Sequence, residues 1–164
     1  MKRIVIGLIV SSLCSTAALA SEDAKGRPAE VQSLQRLIGR WDGTGVWISN
    51  GEKEKLEISW LCSAGANGFA VVCNLDVTGE SPYREVELFA FEQATKQVHW
   101  MTACTWGQVH DYRGRFDGDV LFAADPSAKP QLRFIGSTKI RIEIPFGENG
   151  KDGILELTLF RRIM

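Results

Sequence analysis

The stretch Gly39-Arg40-Trp41-Asp42-Gly43-Thr44-Gly45-Val46-Trp47 constrains this chain more than any other. An even number of residues separates Trp41 from Trp47, so in an extended strand both indoles leave the same face. Only Gly43 and Gly45 stand between them on that face. Glycine inside a strand marks a bulge, a barrel corner or a close backbone approach, and two on one face let the strand coil sharply. Upstream, Pro28 suits the first turn of a helix that carries Val31, Leu34, Leu37 and Ile38 on one side and stops at Gly39. The stretch therefore predicts a short amphipathic helix that enters the first strand of a small barrel and packs as a lid against one end.

The rest of the chain reads as strands and tight turns. After the turn signal Asn50-Gly51, Leu56, Ile58, Trp60 and Cys62 alternate with mostly polar neighbours, as a half-buried strand requires. A two-residue loop at Asn67-Gly68 would set Ala66 opposite Phe69, Cys62 opposite Cys73, Trp60 opposite Leu75 and Ile58 opposite Val77, all on one face. Further strands are predicted over 83–92, 97–105, 108–116, 120–123, 132–136, 140–144 and 154–163. Between them lie the turn 93–96, reversals at Trp106-Gly107 and Asp117-Gly118, and loops over 125–130 and 147–153. About nine or ten short strands behind one helix predict an all-β fold, an antiparallel up-and-down barrel of about eight to ten strands. No repeat period is visible.

Lys2 and Arg3, the apolar run 4–13 and the small-residue pattern Ala18-Leu19-Ala20 read as a secretory signal peptide over residues 1–20. A single domain over 21–164 follows, periplasmic or secreted, with no transmembrane segment in the mature chain, since the apolar run is too short for a spanning helix. Without Lys2 and Arg3 the 19 basic residues become 17 against 20 acidic ones. A mildly acidic balance with no long charge run points away from nucleic acid. Cys14 falls in the removed segment, leaving Cys62, Cys73 and Cys104 in an oxidising compartment. The hairpin register sets Cys62 and Cys73 opposite each other, at about 5.5 Å for a hydrogen-bonded pair, within reach of a disulfide. Two reduced core cysteines, or a bridge from Cys104 to either, are the other readings.

With the short helix before Gly39-Arg40-Trp41, the chain resembles the lipocalins and the wider calycin superfamily, whose first strand opens with a Gly-x-Trp motif. In that family an arginine from the last strand covers the tryptophan. Leu155, Leu157, Leu159 and Arg161 share one face, so the resemblance implies that Arg161 covers Trp41 while Arg162 points outward. The longer pattern Leu37-x-Gly39-x-Trp41-x-Gly43, with Asp117-Gly118-Asp119 after a tyrosine-containing strand, is similar to small bacterial lipocalin-like domains of unknown function, distantly nitrobindin-like. Nitrobindins ligate haem through a histidine late in the barrel. The final strand 154–163 here has none, and no cofactor is implied.

Residues that could carry chemistry are few. His99, His110 and Cys104 lack metal-ligand spacing, so no metal site is expected. Glu85 and Glu87 share a strand face with Tyr83 and Phe89 and invite a general acid and base reading. The competing parity, with Val86, Leu88 and Ala90 inward, turns both carboxylates to water, and that is the expectation, because carboxylates are rarely buried unless paired. No catalytic residue is assigned: there is no Gly-x-Ser-x-Gly, phosphate loop or zincin signature. On the strand 108–116, either Arg113 and Arg115 face inward as anchors for a carboxylate head group, or His110 and Tyr112 do as a milder polar pocket. With Asp117-Gly118 as the loop, Arg113 faces Phe122, Arg115 faces Val120 and Tyr112 faces Ala123.

The sequence thus predicts an exported protein that holds a small, apolar or amphipathic ligand in a barrel cavity. Trp60 and Trp100 serve as wall aromatics, and His110, Tyr112 and Arg113 are the candidate polar contacts. The alternative is a structural or protein-interaction module of the envelope with a filled barrel, its protein partner unknown. An enzyme is the least supported reading.

Overall fold

The computed structural model describes residues 26–147 and 150–163. The signal peptide expected over 1–20, and most of the polar stretch after it, lie outside them. The helix α1 spans Ala29–Gln35, with Pro28 at its N-cap position. Val31, Leu34 and Leu37 are fully buried. It stops earlier than expected: Arg36 caps it, and Gly39 instead opens the first strand with a φ of 130°. That conformation disfavours a side chain, and a Cβ at Gly39 would also lie 2.8 Å from Arg161 Nη1.

Ten strands follow: β1 Gly39–Ser49, β2 Glu52–Gly65, β3 Ala70–Thr78, β4 Tyr83–Glu92, β5 Gln97–Cys104, β6 Val109–Asp117, β7 Val120–Ala124, β8 Gln131–Ile135, β9 Lys139–Phe146 and β10 Gly153–Arg161. Each pairs antiparallel with its sequence neighbour, and β1 pairs with β10 to close the barrel. Closure leaves none of the described strands at a sheet edge. It also requires tight passage at β1, where a Cβ at Gly43 would fall 2.0 Å from the Thr158 carbonyl oxygen. The two glycines between Trp41 and Trp47 therefore let β10 lie close against the first strand.

The β2–β3 hairpin has Cys62 opposite Cys73, Trp60 opposite Leu75 and Ile58 opposite Val77. All six residues are buried. The turn itself, Ala66–Gly68, is a short 3-10 segment with Ala66 and Asn67 at positive φ. Cys62 and Cys73 form a disulfide, with Cα atoms 4.0 Å apart rather than the 5.5 Å of a hydrogen-bonded pair. Cys104 is free.

The β6–β7 hairpin corrects the register read from sequence. Asp117 pairs with Val120, Arg115 with Phe122, Gly114 with Ala123 and Arg113 with Ala124. The loop is thus Gly118-Asp119, with glycine at the first central position at a φ of 56°, where a type II′ turn calls for it. The shift is two residues, so the faces are unchanged.

The turns alternate between two ends. At one end, α1 closes the barrel. Gln35 hydrogen-bonds the Gly68 carbonyl, and Arg36 pairs with Asp119 and reaches the Gly136 carbonyl. The Arg161 guanidinium stacks over Trp41 at 4.2 Å and donates to the carbonyls of Arg36, Ile38 and Ser137. Trp41 is buried, and its Nε1 donates to the Leu37 carbonyl at 2.7 Å. Arg162 points outward and pairs with Asp42. Among the described residues, the opposite end has no such plug.

Candidate ligand cavity

Behind the unplugged end lies a cavity of about 630 Å³. The barrel is therefore not packed solid. Its two sides differ in chemistry because the strand order places different inward rows there. One wall is aliphatic, with Leu56 of β2, Leu75 of β3, Ile142 and Ile144 of β9, and Leu155 and Leu157 of β10. The other is built from β4, β5 and β6 and carries Tyr83, Glu85, Glu87, Thr102, Cys104, His110 and Tyr112. Trp47, Trp106 and Phe146 stand nearer the mouth, where the Tyr83 and Trp106 rings lie 4.6 Å apart and Trp47 and Phe146 meet edge-on at 5.2 Å.

Trp60 and Trp100 form the deep aromatic lining, both nearly inaccessible to water. Phe89 lies beneath them, stacked on Trp100 at 5.0 Å and edge-on to Trp60 at 6.0 Å. Between the two indoles sits Glu87. Trp60 Nε1 donates to its Oε2, and Trp100 Nε1 donates to its Oε1 at 3.0 Å. Glu87 is only 4 % exposed, and Glu85, the next inward residue, is half-buried.

This corrects the expected parity of β4. Val86 is 52 % exposed on the outer surface, while Tyr83, Glu85, Glu87 and Phe89 make the inner row. The row follows from β3, whose inward Cys73, Leu75 and Val77 lie opposite Glu87, Glu85 and Tyr83. Two acidic side chains turn inward because the cavity and the indole donors receive them.

Burial and the neighbouring Glu85 push the Glu87 carboxyl up to about 8, although the two indole bonds favour its charged form. Burial raises Glu85 as well, against a bond from Thr102 and the nearby His110. Burial beside these carboxyls raises the Tyr83 and Tyr112 hydroxyls further. No lysine or arginine pairs with Glu85 or Glu87 among the described residues.

On β6 the inward set is His110 and Tyr112, whose rings stack at 5.2 Å, and Tyr112 meets Trp100 edge-on at 5.8 Å. Arg113 faces out and bonds Asp111 at 2.9 Å, so its assignment as a cavity contact is corrected. With Arg115 also exposed and bonded to the Thr95 carbonyl, no arginine among the described residues lines the cavity as a carboxylate anchor. His99 is outside too, 3.0 Å from Asp111.

Near the mouth, His110 Nδ1 lies 3.0 Å from Asp125 Oδ2 and 3.2 Å from Ser127 Oγ, and Ser127 Oγ donates to Asp125 Oδ1 at 2.6 Å. Burial alone would raise the Asp125 carboxyl, but bonds from Ser127, His110 and the Ala128 amide hold it below its ordinary value. Both oxygen groups meet the same ring nitrogen, and the hydroxyl gives its hydrogen to the carboxylate. The imidazole therefore does not stand between serine and aspartate as a nucleophilic triad requires.

Fold and cavity together define a calycin-like barrel: ten antiparallel strands, a helix closing one end, and an arginine of the last strand over the tryptophan of the first. Several solved structures are similar to it in fold. Rv2717c from M. tuberculosis is similar over 83 % of this chain and 99 % of its own, with a TM-score of 0.64 and 13 % identity. The S-type phycobiliprotein lyase CPES from Guillardia theta is similar over 88 % of this chain and 98 % of its own, at a TM-score of 0.56 and 11 % identity. The barrel EF1p2_mFAP2b, solved bound to DFHBI, reaches a TM-score of 0.50 at 12 % identity, over 82 % of this chain and all of its own. No family model and no curated protein matches the sequence.

Proposed function

We propose that this is an exported binding protein that holds a small, largely apolar ligand in its barrel. The observation that carries the reading is the cavity of about 630 Å³, sealed by α1 at one end and rimmed by aromatic rings at the other. A volume of that order suits a small organic molecule and is far more than packing faults leave in a filled core. Aliphatic side chains along one wall and indoles at the floor would supply most of the affinity through burial. EF1p2_mFAP2b, similar in fold at a TM-score of 0.50, is bound to DFHBI, which supports small-molecule binding as a use of this fold. The basic start, apolar run and Ala18-Leu19-Ala20 pattern support export.

Native mass spectrometry and solvent extraction of the protein purified from its own periplasm test this. The expected result is a noncovalent adduct that is lost from the folded Ile144→Trp variant, in which an indole would enter the cavity from β9. Wild-type protein with only its bare mass, an empty extract and no uptake of a neutral dye would overturn it.

A further inference from the structure

We propose that the cavity selects amphipathic ligands carrying a basic nitrogen, an alkyl or aryl amine being the simplest class. The nitrogen would sit against the Glu85 and Glu87 carboxyls and the apolar body along the aliphatic wall. This rests on the reading of the barrel as a ligand carrier and deepens it.

The charge of the cavity is one-sided. Among the described residues, its lining holds four carboxylates, Glu54, Glu85, Glu87 and Asp152, and neither lysine nor arginine. Glu54 is engaged locally, accepting from the Ser81 amide at 2.7 Å. Glu87 is different: it is deep, it is held in place by Trp60 and Trp100, and no cation pairs with it among the described residues. An ionised carboxyl has about four acceptor positions, of which the indoles fill two. A buried acid in this setting is costly unless something neutralises it, and a protonated amine supplies both charge and hydrogen-bond donors.

The surrounding rings add to this. Trp60, Trp100 and Tyr112 also line the cavity, and an ammonium is attracted to aromatic faces. An anionic head group meets the opposite environment and is repelled.

The proton balance is consistent with the geometry. With its carboxyl pushed up to about 8, Glu87 carries a proton at neutral pH when no cation is near. A neutral amine takes that proton and remains as ammonium beside carboxylate, whereas an ammonium that enters already charged displaces the proton to solvent.

The test uses the full mature chain with Nile red as a neutral dye, displaced in turn by decylamine, decan-1-ol and decanoate. These three share a tail and differ in the head. Decylamine is expected to displace the dye at least about tenfold more tightly than decan-1-ol, the scale of one charge-assisted contact, and decanoate least well. In Glu87→Gln the amine's advantage should fall to within about twofold while Nile red still binds. Glutamine cannot accept from both indoles, so a folding loss there is anticipated, and Glu85→Gln provides the second variant, expected to lose part of the advantage. Equal displacement by amine and alcohol, or an amine preference that survives both variants, overturns the proposal while leaving the carrier reading intact. Failure of Nile red and all three amphiphiles to bind the wild type overturns both.

Discussion

Glu87 is a carboxyl held by two indole N–H groups in a site that water barely reaches, and its protonation is tied to folding. In the unfolded chain it ionises near 4.5, and in the barrel near 8. Between those values the folded state binds the additional proton, so the stability it lends is complete below about pH 4.5 and drains away as pH rises through 8. Glu85 is shifted in the same direction, and His110, Tyr83, Tyr112 and Cys104 are the other ionisable groups around the pair. Chemical denaturation across pH 5 to 9 should therefore show wild-type stability falling with pH. The Glu87→Gln variant should show a visibly flatter slope, at the cost of about 1 to 3 kcal/mol for the indole N–H left without an acceptor. Parallel slopes for the two proteins would refute the assignment. The sequence offers both parities for this residue and favours the outward one. β4 presents two rows with mixed polarity, and the loop at Gly79-Glu80-Ser81-Pro82 is too long to fix which row faces in. Only the β3 register, carried across the strand pair, decides it.

The β2–β3 hairpin shows the opposite case. Asn67-Gly68, four inward apolar residues and two cysteines agree on one register, and the structure has that register. Its disulfide joins residues 11 positions apart. Closing a loop of that size is worth about 2 to 3 kcal/mol in the chain-entropy account, so Cys62→Ala with Cys73→Ala should lower unfolding stability by that order while the barrel persists. The β6–β7 turn was half legible: Asp117-Gly118-Asp119 announces a reversal, but glycine serves as the first loop residue rather than the second, and the register moves by two. Parity survived, so the strand's two alternatives were framed correctly and only packing against β5 and β7 chose His110 and Tyr112 over Arg113.

At the scale of the molecule, Trp41 and Arg161 join the first strand to the last. Trp41→Ala should cost about 3 to 5 kcal/mol by emptying a large core site. Arg161→Ala should cost less, yet couple to Trp41→Ala by at least about 0.5 kcal/mol in a double-mutant cycle, because the guanidinium lies 4.2 Å over the ring. Simple additivity would show that the contact carries no energy. The same feature sets a clock on folding. Arg161 bonds the carbonyl of Arg36, 125 positions earlier, so the hydrogen bonds that complete the seam wait on the strand made last of the ten. Until the final nine residues of β10 arrive, β1 and β9 each present an unpaired flank. A nascent chain is thus open along one line until β10 is made, slow to finish by topology and prone to sticking while it waits. Premature stop at residue 152 should yield aggregates rather than a smaller barrel.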